Sequence, residues 1–344
     1  MSRILIALFA SCALLSACTK KTQTDNEVNL SIWGNYISPE TQAKFEKETG
    51  IKIHISNYSS SEELLAKVQM GSSGIDVAVP TDYMVQIMAK MNLLEPLQNA
   101  KIPNKAFINP QFMGLDFDPK NEYSVPYAWT TMGIAVNRSL YKGAMKSWKD
   151  LLSNPELKGK IALLDDVRET MSAALKMNGY SVNSTKPEEL LKAKNALLEA
   201  KKNVKMFASD TIDILKNKEV VAAQTYSSDA LQAIAQAPDI EYIIPSEGST
   251  MAIDNLAIVK GAKHIEAAHK LINFLLSEGA DMNRVQNIRA TPVLKDTRSK
   301  LAKDLQENKA LFPDASAIKN LEYIHNLGEG NKLFEDIWTE VKTH

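Results

Sequence analysis

Cysteine is scarce in this chain of 344 residues: the two that occur, Cys12 and Cys18, both lie close to the N-terminus. The rest of the chain therefore contains no disulfide and no cysteine-rich metal site. A chain of this length corresponds to about two domains at roughly 150 residues each. It buries enough apolar surface on folding to be stable without covalent links.

An excess of charge of either sign is also missing. Forty Lys and Arg residues face 41 Asp and Glu residues, so the formal net charge is −1 and the sequence pI is near 6.6. This balance argues against a nucleic-acid-binding protein and against a polybasic membrane-binding surface. With 44% hydrophobic and 24% charged residues, the composition is that of an ordinary globular protein.

Familiar catalytic motifs are absent as well. The sequence contains no GxSxG turn, no phosphate-binding loop, no HExxH and no CxxC. Of the five histidines, His264 and His269 are five residues apart, about 140° around a helix, so they do not share a face as a metal pair does. We expect them to be solvated surface residues. The sequence predicts no metal, no cofactor and no enzymatic activity, although an exported hydrolase or transferase stays open as a minor alternative.

The N-terminus has the features of an export signal. Arg3 is followed by an apolar stretch over residues 4–15, which is shorter than the roughly 20 residues needed to span a bilayer. The segment Leu15-Ser16-Ala17-Cys18 resembles a bacterial lipobox. It predicts a lipoprotein signal peptide over 1–17, a lipid anchor at Cys18 and a polar tether over 18–27. An ordinary secretory signal with an incidental cysteine is the alternative.

Beyond the tether, short apolar segments alternate with capped helical segments, which predicts an α/β fold with largely parallel sheets. The long β-rich segment 123–137 is expected to cross between two lobes. The predicted strands cover residues 28–33, 51–56, 76–79, 160–164, 220–225, 240–244 and 251–259, and the predicted helices cover residues 39–49, 62–70, 83–91, 167–177 and 187–202.

Three carboxylates are candidates for a binding site. Asp166 and Glu169 lie where a predicted strand turns into a helix, so both can point into a crevice at the strand's carboxyl end. The same Asp-x-x-Glu spacing is also a variant of the helix capping box, and that alternative stays open. Asp254 lies within the apolar run 251–259, where an unpaired carboxylate is costly. It therefore needs a cation, from the protein or from a ligand.

Aromatic residues cluster near the ends of the same predicted strands, at Trp33, Tyr36, Tyr83 and Tyr226. Each of them alone is more often a core residue than a ligand contact. Together with the carboxylates, however, they suit an aliphatic cation, whose ammonium groups need negative partners and whose methylenes pack on aromatic faces.

Several longer segments resemble one family, the extracytoplasmic polyamine-binding proteins of the spermidine/putrescine type that serve ABC importers. The resemblance extends over residues 30–342, and the segment ending in the run Asp165-Asp166-Val167-Arg168-Glu169 points to the polyamine branch of the wider solute-binding families. The other segments that carry it are 45–51 (FEKETGI), 123–137 (YSVPYAWTTMGIAVN), 147–166 (SWKDLLSNPELKGKIALLDD), 271–276 (LINFLL) and 312–320 (FPDASAIKN).

The resemblance implies a two-lobed periplasmic-binding-protein fold, of a type II-like architecture, with a hinge between the lobes. One lobe is expected over 28–130 and 253–298, the other over 131–252 and 299–344. A polyamine would bind in the cleft, and the closed protein would dock on the permease subunits of the importer. The expected location is the periplasmic or extracytoplasmic face of a bacterial cell envelope, as a monomer attached to the membrane only through the lipid anchor.

The resemblance also implies which residues bind the ligand. The expected set is Trp33, Asn35, Tyr36, Thr81, Tyr83, Asp166, Glu169, Tyr226 and Asp254. Some positions depart from the family pattern. Asn35 replaces an acid, Ala252 an aromatic residue, Ile324 a glutamine and Arg289 a tyrosine, and Arg289 introduces a cation that can neutralise one of the acids. These changes leave open which polyamine is preferred, and they allow a receptor retuned to another organic cation or used as a sensor.

Overall fold

The computed structural model describes residues 26–71 and 73–343. The predicted signal peptide over 1–17, the predicted anchor residue Cys18 and most of the predicted tether lie outside the described residues. The first strand begins at Glu27, which is the last residue of the predicted tether. Within the described ranges, no helix has both the length and the apolar composition needed to cross a membrane.

Twelve strands are found in the described part of the chain. They are β1 (Glu27–Trp33), β2 (Lys52–Tyr58), β3 (Val77–Ala78), β4 (Leu94–Glu95), β5 (Ser124–Asn137), β6 (Ile161–Leu164), β7 (Val204–Ala208), β8 (Ala222–Tyr226), β9 (Ile240–Ile243), β10 (Ser249–Val259), β11 (Thr291–Pro292) and β12 (Leu321–Tyr323).

Fourteen α-helices accompany them in the same residues. They are α1 (Pro39–Thr49), α2 (Ser61–Gln69), α3 (Asp82–Lys90), α4 (Trp148–Leu152), α5 (Val167–Met177), α6 (Pro187–Ala200), α7 (Ile212–Lys216), α8 (Ser227–Gln236), α9 (Ile265–Leu275), α10 (Glu278–Asn283), α11 (Thr297–Lys300), α12 (Lys303–Gln306), α13 (Ala315–Ile318) and α14 (Gly330–Thr343). Short 3₁₀ segments cover Asn99–Lys101, Pro103–Phe107, Pro110–Phe112 and Pro155–Leu157, and a π-helical turn covers Arg284–Ile288.

The helix boundaries follow from local capping. Ser38 caps α1 by accepting a 3.1 Å hydrogen bond from the Thr41 N–H, and α1 ends at Gly50 in the left-handed conformation, φ +69°. The helices predicted over 39–49 and 167–177 have the bounds of α1 and α5, which confirms both predictions. The short helices α4, α7 and α8 and the strand β7 were not predicted.

The sheet is mixed. The prediction of largely parallel sheets is therefore wrong for the centre of the sheet. Parallel pairs flank it at both ends: β1 pairs with β2 and β3, and β6 pairs with β7 and β8. The long strands β5 and β10 join the two groups and run antiparallel to each other. The reason is topological, because β5 carries the chain from one half to the other and β10 carries it back.

Two apolar cores lie on either side of this strand pair. The first core includes Leu30, Phe45, Val125, Leu256 and Leu271, all fully buried. The second core is built from other segments, and its members include Ile134, Trp148, Met171, Leu197 and, from the last helix, Phe334. The first half of β5 therefore belongs to the first core and its second half to the second core, while β10 contributes Ile253, Leu256 and Ile258 to the first core. The chain folds into two lobes that share one continuous sheet.

The expectation that His264 and His269 are solvated is wrong. Both are buried, with exposed fractions of 5% and 1%. The Nδ1 atom of His264 lies 2.9 Å from Asp76, whose carboxylate also accepts the first backbone N–H groups near α9. The Nε2 atom of His269 accepts a 3.0 Å hydrogen bond from the Gln98 N–H. Both imidazoles therefore have structural roles.

Candidate functional site

A cavity of about 300 Å³ opens between the two lobes, at the carboxyl ends of the parallel strands. In open α/β sheets this edge is where ligands bind. The first lobe contributes residues that follow β1 and β2, and the second lobe contributes residues that follow β6 and β7. The lining residues include Trp33, Gly34, Asn35, Tyr36, Asn57, Tyr58, Glu63, Thr81, Thr130, Asp165, Asp166, Ser209, Asp210, Tyr226, Ser228, Asp229, Ala252 and Asp254.

All nine residues predicted for the site lie around this cleft. The main cavity is lined by Trp33, Asn35, Tyr36, Thr81, Asp166, Tyr226 and Asp254. Tyr83 and Glu169 line a narrow extension, which shares Trp33, Thr81, Asp166 and Tyr226 with the main cavity. The tertiary structure therefore brings together residues that are up to 221 positions apart in the sequence, from Trp33 to Asp254.

Asp166 has both of the roles considered from the sequence. Its side chain caps α5 by accepting a 2.9 Å hydrogen bond from the Glu169 N–H, and it also lines the cavity. Burial raises the pKa of Asp166, although its backbone hydrogen bonds and the charge of Arg168 act in the opposite direction. The helix cap therefore holds the carboxyl group in place at the wall of the cleft.

Glu169 lies one helical turn further along α5 and is 4% exposed. Its carboxylate accepts a 2.5 Å hydrogen bond from the Thr250 hydroxyl, so it does not complete a capping box. Burial and the nearby Asp166 charge raise the pKa of Glu169 to about 8. The same two causes raise the pKa of Glu62, whose carboxylate accepts a 3.2 Å hydrogen bond from the Tyr83 hydroxyl, to about 7.

Asp254 lies on β10, where a bulge separates it from Asn255 and re-aims the side chain. It is 6% exposed, and its Oδ2 atom accepts a 2.6 Å hydrogen bond from the Tyr36 hydroxyl. Burial raises the pKa of Asp254 to about 6, against the stabilising effect of that hydrogen bond. Tyr36 is a neutral partner. Within the described residues no Lys or Arg forms an ion pair with this carboxylate.

The set of residues predicted from the sequence leaves out four further carboxylates of the same cavity, those of Glu63, Asp165, Asp210 and Asp229. Asp210 follows β7, and Asp229 lies in the first turn of α8, three residues after Tyr226. Burial and the Asp210 charge raise the pKa of Asp229 to about 7. The sequence offered little signal for these two, because Asp210 follows a strand that was not predicted, β7, and Asp229 lies in a helix that was not predicted, α8.

Arg168, which follows Asp166 by two residues, points away from the main cavity. Its guanidinium donates to the backbone oxygen of His325 at 2.9 Å and to Asn183 at 3.2 Å, and it lies 4.7 Å from the centre of the Phe334 ring. Arg289 lines neither the main cavity nor its extension, so the suggestion that it neutralises a site carboxylate is not borne out. Ala252 and Ile324 do line the cleft.

The lining of the main cavity is strongly anionic, because its residues include five Asp and one Glu but no Lys or Arg. Within residues 26–71 and 73–343, no group of three or more His, Cys, Asp and Glu side chains is placed to hold a metal ion. Glu63 and Asp165 pair with Lys67 and Lys342 outside the lining. Asp166, Asp229 and Asp254 form no ion pair with a described Lys or Arg, and beside the rings of Trp33 and Tyr226 they suit an organic cation better than an anion.

Known proteins resemble this chain over nearly its whole length. Residues 40–313 match the family of bacterial extracellular solute-binding proteins. The spermidine/putrescine-binding periplasmic protein of Escherichia coli K12 is 34% identical over 99% of this chain and 98% of its own length.

Two solved structures extend the comparison to the fold. A spermidine/putrescine ABC transporter protein from Listeria monocytogenes is 35% identical, with a TM-score of 0.88 over 92% of this chain and 99% of that one. The Tp0655 lipoprotein of Treponema pallidum is 27% identical, with a TM-score of 0.81 over the same shares of the two chains.

Proposed function

This chain belongs to the bacterial extracellular solute-binding proteins, and we propose from that premise that it is the receptor of an ABC importer for a polyamine of the putrescine/spermidine class. The observation that carries the proposal is that Asp166, Asp229 and Asp254 lie together in the cleft, with pKa values raised by burial, and form no ion pair with a Lys or Arg of the described residues. Such an arrangement is costly in the empty protein and is compensated when a cation binds.

In the proposed complex the ammonium groups pair with Asp254 at one side of the cavity and with Asp166 and Glu169 at the other. The methylenes between them pack against Trp33 and Tyr226. Each buried methylene contributes about 0.8 kcal/mol, so a four-carbon spacer contributes about 3 kcal/mol. Thr81, Tyr83, Tyr36 and Asn35 complete the proposed contacts as hydrogen-bonding groups.

The proposed lobes are 28–130 with 253–298, and 131–252 with 299–344. Two observations support the boundaries. The boundaries after residues 130 and 252 fall inside β5 and β10, and Thr130 pairs with Ala252 there. The second core contains Phe334 and Val341 of α14, which supports placing the end of the chain in the second lobe. Ligand binding is proposed to favour closure of the lobes about these strands, and the closed form docks on the permease.

We further propose that the protein is a monomeric lipoprotein attached through Cys18 and that it catalyses no reaction. The likeness to a Treponema lipoprotein supports the anchor. The test is metabolic labelling with a palmitate probe. Label is expected on the full chain and not on Cys18→Ser, whereas label on both variants, or on neither, would contradict the anchor.

The function is tested by calorimetric titration of the protein, truncated before Cys18, with putrescine, cadaverine, spermidine and spermine. Arginine, glutamate and maltose are the controls. At least one polyamine is expected to bind with a submicromolar dissociation constant, and none of the three controls is expected to bind. A folded, ligand-free protein that releases no heat with any polyamine would contradict the proposal.

The second candidate is a receptor for another organic cation, used for transport or as a sensor. It is favoured by Ala252 and Ile324, because both line the cleft and neither offers a ring or an amide to a polyamine. Binding of arginine in the same titration, without binding of polyamines, is the outcome that selects it.

A further inference from the structure

One hydrogen bond crosses the rim of the cleft. Asn35 follows β1 on the first lobe and Asp210 follows β7 on the second, and Asn35 Nδ2 donates to Asp210 Oδ2 at 3.2 Å. Both residues line the main cavity and both are exposed at its edge. The contact therefore exists only while the two lobes are close together.

Both partners are held in position by their own backbone. Asn35 has φ +54°, a left-handed conformation that Asn tolerates better than most residues and that orients its side chain. The other oxygen of Asp210 accepts a 3.0 Å hydrogen bond from the Ile212 N–H. The carboxylate is thus fixed at the start of α7, and the lobe movement alone decides whether the amide reaches it.

The chemistry of the pair determines what closure requires. An ionised carboxylate only accepts hydrogen bonds, and the amide of Asn35 supplies a donor without a charge. The pair is therefore satisfied with no ligand group between its members. A carboxylate at position 35 would instead face Asp210 with a like charge, and closure would then need an ammonium group at the rim.

Other negative charges near Asp210 would make closure with a carboxylate at position 35 still more costly. Asp229 lies close enough for the Asp210 charge to contribute to its raised pKa, and the lining of the cavity holds no Lys or Arg. A further negative charge at the rim would add to a region that is already anionic. Asn35 avoids this cost, and its hydrogen bond occupies Oδ2 of Asp210, while Oδ1 already accepts from the Ile212 N–H.

We propose that the Asn35–Asp210 hydrogen bond is a clasp that lets the cleft close over a ligand with two ammonium groups, and that it thereby selects diamines over triamines. The inference rests on the proposed function and adds the determinant of ligand choice. Asn35 acts in it as a positioning residue, through Asp210, and not through a charge that pairs with the ligand.

The test compares putrescine with spermidine by calorimetry and by stopped-flow dissociation, on the wild type, Asn35→Asp, Asn35→Gly and the exchanged pair Asn35→Asp with Asp210→Asn. The wild type is expected to prefer putrescine. Asn35→Asp is expected to lose about tenfold in putrescine affinity and to shift its preference towards spermidine. The exchanged pair is expected to regain the wild-type preference, because the same hydrogen bond forms in the reverse direction.

Two further variants separate the clasp from general effects. Asn35→Gly keeps the left-handed backbone and removes the amide, so putrescine is expected to dissociate several-fold faster with no gain for spermidine. Asn92→Asp adds the same charge at another exposed Asn with a left-handed backbone, φ +57°, at the end of α3 and outside the cavity. It is expected to behave as the wild type.

The two proposals fail differently. A wild type that binds neither polyamine overturns the proposed function and the clasp with it. A wild type that binds spermidine more tightly, or an exchanged pair no better than Asn35→Asp, overturns the clasp and leaves the receptor function intact. If Asn35→Asp does not fold, Asn35→Gly still tests the clasp. A putrescine dissociation rate from Asn35→Gly equal to that of the wild type would contradict the clasp.

Discussion

The hydroxyl group of Tyr36, which follows β1, donates a 2.6 Å hydrogen bond to Asp254, which lies within β10, 218 positions further along the chain. The hydrogen bond orients the buried carboxylate without neutralising it. The carboxylate is therefore fixed in direction and still carries a charge that a ligand cation can compensate.

Removing the Asp254 charge tests this arrangement most directly. Asp254→Asn keeps the shape of the side chain and is expected to weaken diamine binding by roughly tenfold or more, the scale of losing one desolvated charge pair. Calorimetric titration with putrescine measures the change. Asp304→Asn, at an exposed position on α12, is the matched control and should bind as the wild type does. Unchanged affinity in Asp254→Asn would remove this residue from the site.

The hydrogen bond itself is tested by Tyr36→Phe. The substitution leaves the ring and removes one donor to Asp254, so affinity for putrescine is expected to fall by about threefold to tenfold at pH 7, on the scale of one charge-assisted hydrogen bond. Loss of this donor also raises the pKa of Asp254, so the defect should grow as the pH is lowered to 6. A defect that is the same at pH 6 and pH 8 would show that Tyr36 acts by packing alone.

Binding is expected to release protons. The pKa values of Asp254, Asp229 and Glu169 are raised to about 6, about 7 and about 8 because burial disfavours their charged forms. A bound ammonium group favours the charged forms and expels those protons. Affinity for putrescine should therefore fall by about tenfold from pH 8 to pH 6. Titration in buffers of different ionisation enthalpy measures the protons directly, and a buffer-independent heat would contradict the prediction.

The same groups set the pH dependence of the empty protein's stability. Burial also raises the pKa of Asp82 to about 7. A carboxyl group whose folded pKa is raised binds more protons when folded than when unfolded, so its contribution is complete below about pH 4 and is lost as the pH rises through 6–8. The melting temperature without ligand should thus fall by several degrees from pH 5.5 to pH 8. The upward shift caused by putrescine should grow over the same range, and a shift that shrinks would contradict the assignment.

Local signals in the sequence were enough for the elements that are stabilised locally. Ser38 and Gly50 marked both ends of α1, and the Asp166 cap marked the start of α5, because capping depends on residues within one helical turn. The candidate residues were recognisable from their chemical type at strand ends and from the family resemblance. Their placement around one cleft then followed from the expected fold.

Other features depend on contacts between distant segments. The sequence does not show that β5 and β10 pair antiparallel, because the pairing joins residues that are at least 120 positions apart, as Thr131 and Met251 are. His264 and His269 have the spacing of surface residues and are nevertheless buried, because Asp76 and the Gln98 N–H supply polar partners from other segments.

The sequence by itself determined the class of the site: carboxylates and rings at strand ends, with no catalytic motif beside them. Only the tertiary structure decided which carboxylates carry uncompensated charge. Arg168 is only two residues from Asp166 in the sequence but donates its hydrogen bonds to His325 and Asn183, while Asn35 reaches Asp210 across the cleft. The physical reason is that charge compensation depends on distance and burial in the folded protein, and neither quantity is encoded by position along the chain.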